Sequence, residues 1–174
     1  YSRMVEALGR TEEFPETIQR VLDACRDQLK VGFTEEEEYR LREYFLKLKG
    51  SVAGRFLWQL GTKTVDKLGL ASLQNCAFTV IDHPVRPFCW AMDMLALGSG
   101  VGYNLQRHNV DKLPPVKEWF KPPTRVDHGG ADFIIPDSRE GWVKFLGKTL
   151  KAAFLSDSPE KGTFTYSTQC VRGK

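Results

Sequence analysis

The sequence predicts an α/β protein, with a helical front and a strand–helix–strand unit behind it. Three observations carry that prediction. Apolar residues recur at helical spacing through the segment from Phe14 to Leu48. A cysteine, Cys76, then opens an apolar, β-branched run that ends at Ile81. A helix-like segment follows, and the glycine cluster Gly98-Ser99-Gly100-Val101-Gly102 feeds a second short apolar run to Leu105.

In the front half, Phe14, Ile18, Val21, Leu22, Cys25 and Leu29 alternate with Glu16, Gln19, Arg20, Asp23, Arg26 and Asp27, which makes an amphipathic helix closed by Gly32. Cys25 falls on its apolar face and is most simply a core residue. Thr34 with Glu37 forms a capping box for a second helix. Its four consecutive glutamates suit the positive helix start, so they read as a solvated first turn rather than an acidic tail or a metal site. Leu41, Tyr44, Phe45 and Leu48 give this helix its apolar face, and Gly50 is the expected stop. The stretch from Gly54 to Thr62 reads as a turn leading into a short buried segment.

In the back half, Cys76 to Ile81 reads as a buried strand broken by Asp82-His83-Pro84. Phe88 to Leu97 is nearly all apolar and reads as a well-buried helix; Cys89, Trp90, Met92 and Met94 are explained as core. Val101 to Leu105 is the second strand. Asp111 to Gly130, with Pro114-Pro115 and Pro122-Pro123, reads as a loop or extended arm. Asp137-Ser138 caps a helix running through Leu155, Ser156 to Gly162 is a turn, and Thr163 to Ser167 alternates as a strand.

At 174 residues one domain is expected, with a smaller helical lobe. The net charge of +3 is mild and its basic residues are spread out, so nothing demands a nucleic-acid partner. No apolar run is long enough to cross a membrane, and the first ten residues lack the pattern of a secretory signal. The four cysteines, Cys25, Cys76, Cys89 and Cys170, show no Cys-x-x-Cys spacing, and no histidine cluster completes a zinc site. Without an export signal, structural disulfides are not expected.

Cys76 is the best candidate for chemistry, because a thiol at a strand end exchanges with disulfides when its surroundings favour the thiolate. Alone it is weak evidence, since a lone cysteine in an apolar strand is usually a packing residue. The glycine cluster lets backbone approach a ligand, and its N–H groups suit phosphate. It lacks the Gly-Lys-Ser/Thr of a Walker loop and the spacing of a dinucleotide fingerprint, so by pattern alone it is a tight helix-to-strand turn. Asp82, Arg107 and Lys112 suit an anionic ligand or plain solvation, and His83, His108 and His128 stand isolated.

The motifs, taken in order, are Tyr1-Ser2-Arg3, Gly9-Arg10-Thr11-Glu12, Gly54-Arg55-x-Leu57-Trp58-x-x-Gly61-Thr62, Asn75-Cys76, Gly98-x-Gly100-Val101-Gly102, Asp137-Ser138-Arg139-Glu140-Gly141-Trp142, Thr165-Tyr166-Ser167 and Val171-Arg172-Gly173-Lys174. This series resembles the N-terminal part of the catalytic chain of ribonucleotide reductase. It is most similar to the monomeric class II ribonucleoside-triphosphate reductases, which depend on adenosylcobalamin, including those of phages and cyanobacteria. The Asn-Cys pair and the glycine motif at this separation are the specific parts, and Leu-Trp-x-x-Gly-Thr favours class II over class I.

The resemblance implies a ten-stranded α/β barrel, incomplete in this chain, with residues 1–67 as a helical N-terminal region and 68–174 as the first portion of the barrel. It implies reduction of ribonucleotides to deoxyribonucleotides by thiyl-radical chemistry, with Cys76 as one member of the cysteine pair that is oxidised. By the same resemblance Thr62, Asn75 and Gly100 line the substrate pocket, Asp82 and Arg107 meet a dNTP effector, and no residue here binds a metal. Adenosylcobalamin is contacted mostly by parts outside this chain. The implied partners are the ribonucleotide, the effector, a thioredoxin-type reductant and the remaining C-terminal part of the reductase, in the same or a separate chain; the implied location is the cytoplasm. The family's thiyl cysteine, the second reducing cysteine and the radical-site glutamate lie beyond residue 174, so the chain alone is expected to be inactive. Two alternatives are a class I large subunit, which needs a separate radical-generating subunit, and a non-catalytic nucleotide-binding or regulatory module.

Overall fold

The structure, a computed structural model, covers residues 2–126, 128–155 and 163–173. The chain divides into two compact units, Tyr1–Asn75 and Cys76–Lys174.

The first unit opens on a small antiparallel hairpin, β1 (Met4–Val5) with β2 (Arg10–Thr11). Helix α1 (Phe14–Asp27) follows and buries Ile18, Val21 and Leu22 of the expected face together with Ala24, but Phe14 is exposed, and the helix ends before Gly32, with Lys30 rather than a glycine in the left-handed conformation (φ 57°). Cys25 is half-buried against the core of Val21, Ala24, Leu60, Val65 and Leu73. Helix α2 (Glu35–Leu46) begins at the expected capping box: Thr34 Oγ1 accepts from the Glu37 amide at 3.2 Å, and Glu37 returns a carboxylate oxygen to the Thr34 amide at 2.9 Å. It ends four residues before the expected stop. Leu48, not Gly50, takes the left-handed turn, with φ of 53°. Leu48 has therefore left the helix and is exposed, and Tyr44 at the edge of the stripe is exposed as well. Phe45 makes the contact with Ile18 and Leu22, with Leu41 beside it.

Residues 54–59 form a helix, α3 (Gly54–Gln59), in place of the expected turn, and the expected short buried segment is found at Gln59 and Leu60. Phe56 and Leu57 pack on the core and Leu60 is fully buried, while Trp58 stays exposed. Its apolar density therefore serves one helical face. Thr62 caps α4 (Lys63–Leu68), and a 3₁₀ turn at Leu70–Leu73 supplies Leu73 to the same core.

The second unit starts with a parallel β-α-β arrangement: β3 (Cys76–Val80), α5 (Arg86–Ala96) and β4 (Gly100–Asn104). The register sets Cys76 opposite Gly100 and Val80 opposite Asn104. The expected burial of the first strand is not found. Ala77 and Thr79 are half-buried, whereas Cys76 is exposed and Phe78 is 63% exposed. Over Cys76–Thr79 the alternation half-buries one side of the strand and leaves the other open. Helix α5 is likewise two-sided: Pro87, Ala91 and Met94 are buried, but Trp90 and Leu95 are exposed. A single turn, α6 (Arg107–Val110), leads into the Pro-rich stretch, which carries turns at residues 111–112 and 118–119 and the short β5 (Thr124–Arg125). Then come β6 (Phe133–Ile134), α7 (Arg139–Phe154) and β7 (Thr165–Ser167). Strand β7 lies between β5 and β6 and is parallel to both. Helix α7 starts where expected, at Ser138, whose Oγ accepts from the Gly141 amide at 3.1 Å. It packs on α5, and its Phe145 ring lies 4.6 Å from Tyr166 and 6.2 Å from Phe133, centroid to centroid. The turn expected over 156–162 lies outside the described residues. Among the described residues no helix is long and apolar enough to cross a membrane.

Candidate functional site around Cys76

Cys76 is the first residue of β3 and is exposed. Directly opposite residues in a ladder share a face, so Cys76, Phe78 and Val80 stand with Gly100, Gly102 and Asn104. The β4 side of this face is backbone at its first and third positions. A Cβ built on Gly102 would lie 3.1 Å from Phe78 Cδ2, so the Phe78 ring lies across that glycine. The thiol thus sits beside bare strand on an open face, and a flat polar ligand can come close there.

The glycine cluster does two jobs. Gly98, with φ of 87°, makes the left-handed exit from α5. The Gly98 and Ser99 amides close that helix on Leu95 and Met94 carbonyls at 2.8 and 3.0 Å. Gly100 and Gly102 belong to the paired strand. The cluster is therefore a helix-to-strand turn plus a strand.

Asp82 and Arg107 follow the C-terminal ends of the two parallel strands, and both are exposed. Asp82 lines a cavity of about 610 Å³ with Phe78, His83, Arg86 and Trp90. Arg107 opens α6 and is not a lining residue of that cavity. His83 is not idle: its Nδ1 accepts from the amides of Val85 and Arg86 at 3.0 and 3.2 Å and so caps the start of α5. The Asp-His-Pro break in the sequence is the signal that marked this turn.

Of the remaining candidates, Thr62 and Asn75 lie in the first unit. Asn75 is exposed. Thr62 is half-buried; its Oγ1 donates to the Gln59 carbonyl at 2.7 Å and accepts from the Thr64 amide at 3.2 Å. The turn before it is held by Arg20, which donates to the Leu57 and Leu60 carbonyls. In the sequence Arg20 is one of the polar residues set between the apolar positions of α1.

Burial pushes the Cys25 and Cys89 thiols up from their ordinary range, so neither is a ready thiolate. Cys89 Sγ is 3.8 Å from the Val143 carbonyl oxygen, and a Cβ on Gly147 would lie 3.2 Å from it. It is a packing residue between α5 and α7. Among the described residues no three His, Cys, Asp or Glu side chains gather where they could hold a metal ion.

The fold matches a crystal structure of a B12-dependent, class II ribonucleotide reductase, with a TM-score of 0.75 and 24% identity over 99% of this chain and 31% of that one. Sequence relatives carry the name adenosylcobalamin-dependent ribonucleoside-triphosphate reductase. The probable adenosylcobalamin-dependent ribonucleoside-triphosphate reductase of Dictyostelium discoideum is 30% identical over all of this chain and 26% of its own length. The adenosylcobalamin-dependent ribonucleoside-triphosphate reductase of Euglena gracilis is 32% identical over 84% of this chain and 21% of its length. That of Lactobacillus leichmannii is 28% identical over 92% and 29%. No family model matches the chain. In sequence and fold the chain resembles ribonucleotide reductases. Within them it resembles the adenosylcobalamin-dependent kind, and it spans between a fifth and a third of the length of these curated relatives.

Proposed function

We propose that this chain is the N-terminal segment of an adenosylcobalamin-dependent ribonucleotide reductase and that it supplies Cys76 to the reduction step. The observation that carries the reading is the exposed thiol at the start of β3, opposite Gly100, in a chain similar along its length to such reductases. In the overall reaction the ribose C2′–OH bond breaks and a C2′–H bond forms. The hydroxyl leaves as water. Two thiols give up two electrons and two protons and join as a disulfide. Cys76 is one thiol, and the other comes from beyond residue 174. An exposed strand-end sulfur on a rigid ladder suits this, because disulfide formation tolerates only a narrow range of Cα separations.

Adenosylcobalamin supplies the initiating radical when bound, by homolysis of its carbon–cobalt bond. The residues here fit the sugar side of that chemistry, since the open Cys76 face offers a thiol and bare backbone rather than a set of metal ligands. In this reading the cofactor is contacted mostly by parts outside this chain.

In this reading Thr62, Asn75 and Gly100 line the ribonucleotide pocket. Asp82 and Arg107, at the C-terminal ends of parallel strands where α/β sheets take ligands, meet the dNTP effector. Residues 1–67 form the helical N-terminal region and 68–174 the first portion of a ten-stranded barrel. Two parallel strand pairs bridged by helices, β3–α5–β4 and β6–α7–β7, suit such a barrel. The enzyme acts in the cytoplasm with a thioredoxin-type reductant, a setting in which its thiols are kept reduced.

The test is Cys76→Ser in the complete reductase. Multiple-turnover dNTP synthesis should fall by at least ~100-fold, as expected when one member of a group acting as a unit is removed. The wild-type rate should require added adenosylcobalamin. Intact turnover in C76S overturns the assignment of Cys76, and cobalamin-independent turnover moves the chain to class I.

A further inference from the structure

We infer that Arg20 is a positioning residue for the substrate pocket, given that Thr62 lines that pocket as proposed: its guanidinium sets the turn that presents Thr62. Helix α3 is only 6 residues long, and its last carbonyls have no partner inside the helix. Arg20 supplies one. Its Nη2 donates to the Leu57 carbonyl at 2.8 Å and its Nη1 donates to that of Leu60, forty positions away in sequence. Glu12 holds the guanidinium in place, accepting from Nε at 2.7 Å and from Nη2 at 3.1 Å. Glu12 is itself fixed by the Thr17 hydroxyl at 3.0 Å and the Arg3 amide at 3.2 Å. The Arg20 and Glu12 side chains are only 14% and 9% exposed, so the pair is largely shielded from water.

The next residues rest on the same helix. Gly61 has φ of 73°, and a Cβ there would come within 2.8 Å of Arg20 Cγ and 3.1 Å of Ala24 Cβ. The turn thus lies flat against α1. The Gly61 amide donates to Gln28 Oε1 at 3.2 Å. Thr62 comes next, with its hydroxyl committed to Gln59 and Thr64, so its place follows from the turn's. One polar atom in this turn is left over: Gln59, 5% exposed, has a side-chain oxygen without a hydrogen-bond partner among the described residues. A buried acceptor left open three residues before Thr62 is what a donor from a bound ligand would complete.

Only arginine can do this job. Its planar fork reaches a carboxylate and two carbonyls at once, whereas a lysine ammonium is a point charge on a flexible stem. Arg20→Lys keeps the charge beside Glu12 but loosens the turn.

The experiment is a double-mutant cycle in the complete reductase, reading KM and kcat for the ribonucleotide. Thr62→Val alone should raise KM by about tenfold, and so should R20K, each with kcat changed less than about threefold, because a misplaced binding group weakens substrate and transition state alike. In the T62V background R20K should add less than about twofold, the sign of two residues acting through one contact. Independent, multiplying effects overturn the positioning role and leave Arg20 as structural. A raised KM in T62V with a wild-type KM in R20K overturns it too, while the reading of Thr62 survives. A wild-type KM in T62V overturns the reading of Thr62 itself and the inference with it. If R20K fails to fold, Gln28→Ala, which removes the acceptor for the Gly61 amide together with a donor to Asp66 Oδ1, is held to the same outcomes.

Discussion

Burial works against the charge on Glu12, yet hydrogen bonds from Arg20 and Thr17 outweigh it, so its carboxyl titrates below its ordinary value of 4.5. A carboxyl with a lower folded than unfolded pKa adds stability that is complete above the unfolded value. That contribution is lost as the pH falls through the folded one. Glu12→Gln should therefore be less stable than wild type at pH 7, by about 3 kcal/mol, because it leaves a largely buried guanidinium without its counter-charge. The gap should narrow as the pH drops below 4.5. Urea midpoints at a series of pH values measure it. Glu16 also titrates low, at about 2, through hydrogen bonds from Arg10 and the Glu13 amide. The wild-type curve thus falls for two reasons, and the difference between wild type and E12Q isolates Glu12. A constant gap from pH 7 to pH 3 would mean that the ion pair contributes nothing through its charge.

The best-defined elements are those whose local signals agree with their packing. Helix α7 begins at Ser138 because that side chain takes the Gly141 amide, one of the donors a helix start leaves open. Ser138→Ala should cost about 1 kcal/mol, and Ser138→Asp should recover most of it; thermal midpoints of the three proteins check this. The same kind of signal made α1 and the start of α2 readable from the sequence, through apolar spacing at Ile18, Val21 and Leu22 and through the Thr34–Glu37 box. Helix α3 was not readable. Six residues hold under two turns, too few to show a period, and the carbonyls at its end are satisfied from outside it, Leu57 by Arg20 and Trp58 by Arg3. Strand β3 was legible in position but not in burial, because an apolar run shows what can be covered, not whether a neighbour covers it. The pairing of Cys76 with Gly100 was legible only as two strands and a glycine turn. Its register depends on where α5 lets go at Gly98. Arg20 looked like one more charge between apolar positions, since the carbonyls it meets are far along the chain and carry no residue-type signal.

At the scale of the whole molecule, the second unit displays apolar surface that a finished parallel α/β protein would cover. Parallel sheets are normally covered on both faces. Here Phe78 and Tyr103 are exposed on β3 and β4, Leu105 just beyond, and Trp90 and Leu95 on α5. The sheet of β3 and β4 has two strands, so each keeps an unpaired edge among the described residues. Such edges and patches invite association. In a barrel, further strands would pair with these edges and further helices would cover the faces. If residues 1–174 are the first portion of one, then expressed alone they should form mixed oligomers on size exclusion and bind a hydrophobic dye. Co-expression with the rest of the reductase should remove both properties and yield one defined species. A monodisperse, dye-silent monomer of 1–174 would show that this surface is tolerated in water. It would shift the balance toward a free-standing nucleotide-binding module, for which Cys76 need not react at all.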